Sequence, residues 1–322
     1  MIRIETLEAP GRPETGEEVR TGLTALPKDL SAAPRYFYDE LGSELFERIT
    51  QLPEYYQTRA EHSILRERSD EIVARSRPGE LIELGSGSAG KTRTLLDALR
   101  RAGGPVRYAP LDVSGAALRE SARRLAREYP GIRIRGFAGD FNGPLDRVLE
   151  GAGRRLVVFL GGTVGNFTPA ARREFLEKVR RGLGPGDRFL VGLDLVKDRA
   201  TLEAAYNDSA GVTAEFNRNM LRNINRELGG DFDPEAFEHR AFYNERDSRI
   251  EMWLQATGEQ EVRVRELDLT VRFAAGEGVR TEISAKFTRR TAGEVFAEAG
   301  FRLENWYTDR EGLFGLALFR VG

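Results

Sequence analysis

The 322-residue sequence contains no cysteine and only two histidines, His62 and His239. Thiolate-bound zinc, iron–sulfur clusters, thiol nucleophiles and disulfide frameworks are therefore excluded within the chain. A Ser-His-Asp triad could draw on only two imidazoles, and both lie in charged stretches, Glu61-His62-Ser63 and Glu238-His239-Arg240, that read as helical surface or packing positions. A charge surplus is also missing: 49 Lys+Arg face 51 Asp+Glu, for a formal net charge of −2. General nucleic-acid binders and polybasic membrane binders need an excess of Lys and Arg, so neither partner is expected. No run approaches the ~20 apolar residues of a membrane span. The opening carries Glu5, Glu8, Glu14, Glu17 and Glu18 and has no apolar core of a signal peptide. The expectation is a cytoplasmic monomer that needs no metal, long enough to bury a core without staples.

What is present has a clear rhythm between residues 81 and 196. Apolar runs at Leu81–Leu84, Tyr108–Val113, Ile132–Phe137, Leu156–Leu160 and Phe189–Leu195 alternate with amphipathic stretches, the order that builds a parallel sheet. One of those stretches opens at Thr168-Pro169, an N-cap followed by proline at the first helical position, and ends in Gly184-Pro185-Gly186. After Val196 the rhythm breaks. Phe216, Met220, Ile224 and Leu228 mark a long helix closed by Gly229-Gly230. Strand patterns follow at Ile250–Leu254, Leu267–Phe273 and Val279–Phe287, then a helix at Thr291–Gly300 and strands at Arg302–Tyr307 and Leu313–Val321. The pattern predicts an α/β domain over 61–196, an insert over 197–286, and a return to the first domain over 287–322. Residues 1–60, polar and loose at first, are expected to join the insert in a second lobe. A ligand belongs at the carboxyl ends of the strands, under that lobe.

Glu83-Leu84-Gly85-Ser86-Gly87-Ser88-Ala89-Gly90-Lys91-Thr92 follows the first strand and opens a helix. Its Gly85-x-Gly87-x-x-Gly90 spacing fits a dinucleotide fingerprint, and Gly85 to Thr92 also fits the P-loop pattern. Against a triphosphate stand Glu83, which would crowd the phosphates, and the fourth strand's end, Leu160-Gly161-Gly162, which has no aspartate for magnesium. Glu83 suits a sulfonium-bearing amino acid. Asp112, ending the second strand, can accept from both ribose hydroxyls, and Asp140-Phe141 can bind adenine by its amine and by stacking. These features favour S-adenosylmethionine, and so does the closing helix and strand pair. The bland alternatives are an N-cap for Asp112 and a turn for Asp140. Gly161-Gly162-Thr163-Val164-Gly165-Asn166-Phe167 offers Asn166 as donor and acceptor for a methyl acceptor. It lacks the Asn/Asp-Pro-Pro-aromatic signature of enzymes that methylate nucleobases or protein glutamine, which favours a small-molecule acceptor. In Val279–Phe287 alternation puts Arg280, Glu282, Ser284 and Lys286 on one face, a polar site or a solvated surface. Tyr38, Tyr55, Tyr56 and Tyr206 could equally be packing aromatics.

Several stretches together resemble a known family: Phe37-Tyr38-Asp39 with Gly42-Ser43-x-Leu45-Phe46, Leu52-Pro53-Glu54-Tyr55-Tyr56, Glu83-Leu84-Gly85-Ser86-Gly87, Asp194-Leu195-Val196-Lys197-Asp198, Phe216-Asn217-Arg218-Asn219, and Thr281-Glu282-x-Ser284-x-Lys286-Phe287. From about Gly22 to the C-terminus the chain is similar to the histidine Nα-methyltransferases of ergothioneine biosynthesis, which trimethylate the α-amine of L-histidine to hercynine. The resemblance implies a class I S-adenosylmethionine-dependent methyltransferase (Rossmann-like) domain with a second α+β substrate-binding domain. It implies that Gly85, Lys91, Asp112, Asp140 and Phe141 hold S-adenosylmethionine, with Lys91 toward its carboxylate. Asn166 and Tyr206 would hold the histidine carboxylate, with Tyr38 and Asn166 at the amine. Glu282 and Ser284 would bind the imidazole, with Tyr55 close by.

Overall fold

Runs of β-branched and aliphatic residues buried on both faces favour a parallel sheet covered by helices. The computed structural model of the chain describes residues 1–7, 16–87, 89–103, 106–140, 143–151 and 153–322. Its strands are β1 (Ile2–Thr6), β2 (Lys28–Asp29), β3 (Glu80–Leu84), β4 (Arg107–Asp112), β5 (Arg133–Ala138), β6 (Arg155–Phe159), β7 (Arg188–Asp194), β8 (Phe237–Asn244), β9 (Arg249–Ala256), β10 (Gln260–Val264), β11 (Leu269–Phe273), β12 (Gly278–Ala285), β13 (Phe301–Thr308) and β14 (Phe314–Val321). The α-helices are α1 (Glu17–Thr24), α2 (Glu40–Gln51), α3 (Gln57–Ser76), α4 (Thr92–Arg101), α5 (Gly115–Glu128), α6 (Leu145–Leu149), α7 (Pro169–Gly182), α8 (Arg199–Ala204), α9 (Val212–Leu228) and α10 (Arg289–Glu298). Among the described residues no helix is long and apolar enough to cross a membrane.

Eight strands form the large sheet in the order β1-β5-β4-β3-β6-β7-β14-β13. Pairing is parallel from β1 to β7, and β14 is the one reversed strand, antiparallel to both β7 and β13. From β3 the chain first builds outward through β4 and β5 and then returns to β6 on the other side, so the sheet switches direction between β3 and β6. That switch opens a crevice at the strands' carboxyl ends. The expected helix start at Thr168-Pro169 is present, with the Thr168 hydroxyl accepting from the Ala171 N–H.

A second sheet, β2-β12-β9-β8, and the hairpin β10-β11 belong to the other lobe. Its core joins Val19, Leu23, Tyr36, Phe37, Leu45 and Ile49 from the N-terminal segment to Phe216, Met220, Ile224, Leu254 and Val279. The N-terminal segment nevertheless divides. Residues 1–60 were expected to lie together in the second lobe, but Ile2–Thr6 pairs with β5 at the edge of the large sheet. The strand signal there is only two apolar positions, Ile2 and Ile4, and the open edge of β5 supplies the rest.

The two sheets touch where the chemistry lies. Leu195, just past β7, bridges to Phe287, just past β12, and the Phe287 N–H donates to the Asp194 carbonyl at 2.8 Å. The short 3₁₀ turn Thr163–Asn166 packs against β12 so closely that a Cβ on Gly165 would stand 2.7 Å from the Ala285 carbonyl oxygen. Glycine at 165 thus lets Asn166 approach the strand that carries Glu282 and Ser284.

Candidate functional site

The turn after β3 passes through left-handed backbone at Gly85 (φ 76°) and Gly87 (φ 46°), which L side chains rarely adopt. Asp112, at the end of β4, braces it: its Oδ2 accepts the Gly87 N–H at 2.6 Å and its Oδ1 accepts the Ser114 N–H at 3.0 Å. Ser86 is buried inside the turn with its Oγ unpartnered among the described residues, and a Cβ on Gly87 would meet nothing within 4 Å. An open glycine turn, an orphan hydroxyl and a carboxylate with lone pairs to spare fit a ligand with ribose hydroxyls and an amino-acid tail. Asp140 lies exposed after β5, where its Oδ1 accepts the Gly143 N–H at 3.1 Å. Phe141 lies outside the described residues.

Glu83 and Lys91, next to this turn, are both engaged within the protein. Glu83, expected to face a sulfonium-bearing ligand, is 3% exposed and turned into the interior. It accepts from Thr92 Oγ1 at 2.5 Å and from the Tyr108 hydroxyl, so it ties β3 to α4 and β4. Burial pushes its carboxyl up to about 7 despite those hydrogen bonds. Lys91 is paired with Glu61, a fully buried carboxylate on α3 that also accepts the Gly161 N–H at 2.8 Å. Lys91 therefore links the glycine turn to the loop after β6, its charge matched within the protein. Among the described residues, a triphosphate would find Lys91 already paired and no aspartate at the end of β6 to hold magnesium.

Under the second lobe lies a cleft, open to solvent, that brings Tyr38, Tyr55, Asn166, Tyr206, Glu282 and Ser284 together. Six of the residues singled out from sequence thus share one cavity. Phe46, Phe216 and Met252 give it apolar walls. Neither the Glu282 carboxyl nor the Asn166 side-chain amide has a hydrogen-bond partner among the described residues. Burial raises the Glu282 carboxyl to about 7, against the opposing charge of Lys286. The polar face of β12 is therefore a site wall rather than a solvated surface: Ser284 and Lys286 are each 4% exposed. Tyr38 stands at the mouth, 39% exposed as a residue. Its phenol is pushed up by burial and by the charges of Glu282 and Asp112.

Behind this wall is a buried network. The Lys286 ammonium donates to Asp194 Oδ2 at 2.7 Å, the Ser284 hydroxyl at 2.8 Å and the Tyr206 hydroxyl at 3.0 Å. Asp194 also accepts from Lys197 at 2.6 Å and from the Tyr56 hydroxyl at 2.8 Å. Burial alone would raise the Asp194 carboxyl, but Lys286 and Lys197 hold it below its ordinary value. Lys197 is lowered to about 8 by burial. These residues lie inside stretches notable in the sequence, yet nothing local distinguishes a buried lysine from a solvated one. The same holds for Glu61.

The remaining signature residues position the site. Asp39 caps α2 by accepting the Gly42 N–H at 2.8 Å and is held by Asn219 at 2.8 Å, which fixes the chain next to Tyr38. His239 lies on strand β8 and not on a helix. Its Nδ1 meets the Asn217 amide at 2.9 Å and its Nε2 meets the Tyr206 carbonyl at 2.8 Å, so it supports Tyr206 from behind. Burial lowers its pKa, consistent with a neutral ring accepting from Asn217 and donating to Tyr206.

Comparison with known proteins agrees with this architecture. The profile of the family described as "Histidine-specific methyltransferase, SAM-dependent" matches residues 15–321. The chain is 54% identical to histidine N-alpha-methyltransferase of Mycolicibacterium smegmatis over 94% of its own length and 93% of that protein's. Identity to the Mycobacterium tuberculosis protein of the same name is 51%, over 97% and 96% of the two chains. Ergothioneine biosynthesis protein 1 of Neurospora crassa is 32% identical over 94% of this chain and 35% of that longer protein. The chain belongs to the S-adenosylmethionine-dependent histidine-specific methyltransferase family.

Proposed function

We propose that this chain methylates the α-amine of L-histidine three times in succession, giving hercynine for ergothioneine synthesis. The observation that carries the reading is Glu282, a carboxylate without a hydrogen-bond partner among the described residues, in the wall of a cleft that also has the apolar side chains of Phe46, Phe216 and Met252, with the Ser284 hydroxyl beside it. An imidazole N–H satisfies such a group, while an apolar side chain leaves it buried and unpaired. S-adenosylmethionine supplies an electrophilic methyl carbon on a sulfonium. In this reading Gly85, Asp112, Asp140 and Phe141 hold it, with Lys91 at the edge of its amino-acid tail.

The chain's own residues then have distinct tasks. Tyr206 takes the acceptor's carboxylate with Asn166, over a network with two lysines against one aspartate. That surplus of positive charge favours an anion at that end. Tyr38 and Asn166 orient the amine, and Tyr55 closes the ring end. The apolar walls disfavour the ammonium form of the amine and lower its pKa. Alignment of the reacting atoms at about 3–3.5 Å is the main source of acceleration, with no covalent enzyme intermediate. We also read the chain as a cytoplasmic monomer without nucleic-acid or membrane partners, which sedimentation analysis of the purified protein would check for oligomeric state.

Mass spectrometry of the protein incubated with S-adenosylmethionine and L-histidine should show mass gains of one, two and three methyl groups. Histidine recovered unmodified would refute the reading.

A further inference from the structure

Gln57, the first residue of α3, has a buried carboxamide that no hydrogen bond among the described residues satisfies. It is 4% exposed and lines the acceptor cleft, as Gly161, Thr163 and Asn166 do, yet neither Oε1 nor Nε2 has a hydrogen-bond partner among the described residues. Side-chain amides carry two N–H donors and an acceptor oxygen, and buried ones are nearly always paired in folded proteins. A bare amide in a ligand cleft therefore points to the ligand.

The neighbours on α3 fix which end of the ligand it meets. Tyr56, immediately before Gln57, is tied to Asp194, and Glu61, one turn later, accepts the Gly161 N–H. The first turn of α3 is thus clamped between the ends of β6 and β7. Lys91 of the glycine turn reaches the same Glu61, so the start of α3 joins the acceptor cleft to the glycine turn. Gly85, Lys91 and Asp112 are not among the residues that line this cleft, which places the amide on the acceptor's side.

We propose that Gln57 binds the α-amino carboxylate of the acceptor, with Oε1 accepting from the amine and Nε2 donating to the carboxylate. The proposal rests on the reading of the cleft as an amino-acid site. It adds a consequence: each methyl group that replaces an N–H removes a donor from Oε1, so the trimethylated product is held less well than the substrate.

The test is Gln57→Leu, close in volume and unable to hydrogen-bond. With S-adenosylhomocysteine bound, calorimetry should show the Kd for L-histidine raised roughly 5–150-fold, and that for hercynine raised less. Affinity for S-adenosylhomocysteine should stay within about twofold, and Tm should hold or rise because an unpaired buried amide is gone. Unchanged histidine affinity with a lowered Tm would make Gln57 a fold residue and overturn the proposal. Weakened S-adenosylhomocysteine with unchanged histidine would assign the amide to the methyl donor and overturn it equally. Titrating the wild type with a panel of L-α-amino acids separates the two layers. If another amino acid binds in place of histidine and Gln57→Leu weakens it, the histidine reading fails while the role of Gln57 stands.

Discussion

Glu83 and Glu282 both sit on strands at the central crevice, and burial pushes both carboxyls up to about 7. Their surroundings differ. Glu83 spends its acceptor capacity on Thr92 and Tyr108, which hold three elements together beneath the glycine turn. Glu282 has no such partners and looks into a cleft walled by aromatics. A perturbed pKa therefore does not by itself distinguish a site residue from a structural one. The unfilled hydrogen-bond capacity does.

The largest effect should come from Glu282→Ala combined with Ser284→Ala, which empties the ring-binding wall. A lost hydrogen bond to a charged group and one to a neutral group together predict a fall of about 100-fold or more in kcat/KM for histidine. The increase should lie in KM, with S-adenosylhomocysteine affinity retained in calorimetry. Histidine kinetics like the wild type's would remove this face of β12 from the site. Next in size is Lys286→Met, which strips the common donor from Ser284 and Tyr206 and leaves Asp194 with Lys197. A KM for histidine roughly 10-fold higher is expected, with a clear loss of Tm because a buried ion pair is broken. Tyr206→Phe tests the same end of the cleft without touching the charge. It should raise the KM by a smaller factor, and no change would exclude Tyr206 from substrate binding. Asp112→Ala moves the test to the other half of the crevice: S-adenosylhomocysteine should bind about 10-fold more weakly. Wild-type affinity by calorimetry would refute a ribose role.

The large sheet was legible because its strands are short apolar runs separated by helices with distinct starts, such as Thr168-Pro169. The second lobe was less so. Strand β8 carries Glu238, His239 and Arg240 in succession, and that charged run hides the alternation of its more and less exposed positions, so local sequence resembles a solvent-facing helix. The cleft residues Tyr38, Tyr55, Asn166, Tyr206, Glu282 and Ser284 were reachable through motif resemblance. Periodicity could place only Glu282 and Ser284 on a common face. What sequence could not show is burial by distant parts of the chain. Glu61 and Lys91 are 30 positions apart, and Lys286 and Asp194 are 92 apart. The first pair reads as ordinary surface charge until α3 packs beside the glycine turn, and the second until the two sheets meet. Gln57 was hidden for the same reason: a glutamine opening a helix next to charged residues gives no sign that its amide is enclosed.

The smallest effect on catalysis, and the sharpest contrast with Glu282, belongs to Glu83→Gln. A protonated carboxyl and a glutamine amide each keep one acceptor oxygen and donate from the other position, and a hydroxyl can accept as well as donate, so glutamine stands in for the protonated form and should keep the Thr92 and Tyr108 contacts with one of them reversed. Histidine kinetics should therefore change little. Stability should change with a defined sign. The Glu83 carboxyl rises from 4.5 to about 7 on folding, so between those pH values the folded chain binds more protons than the unfolded one. Stability accordingly falls as pH rises through this window and is level outside it. The full shift corresponds to on the order of 3 kcal/mol, present below the window and lost above it. Glu282 slopes the same way, but its side of the cleft is open to solvent and its share is smaller. Glu83→Gln should thus match the wild-type Tm at pH 5 and exceed it by roughly 5 °C at pH 8, measured by calorimetric scans in matched buffers. Equal Tm differences at the two pH values would mean that Glu83 keeps its charge in the folded chain, and the contrast between a satisfied interior carboxyl and an unsatisfied site carboxylate would then have to be drawn from Glu282 alone.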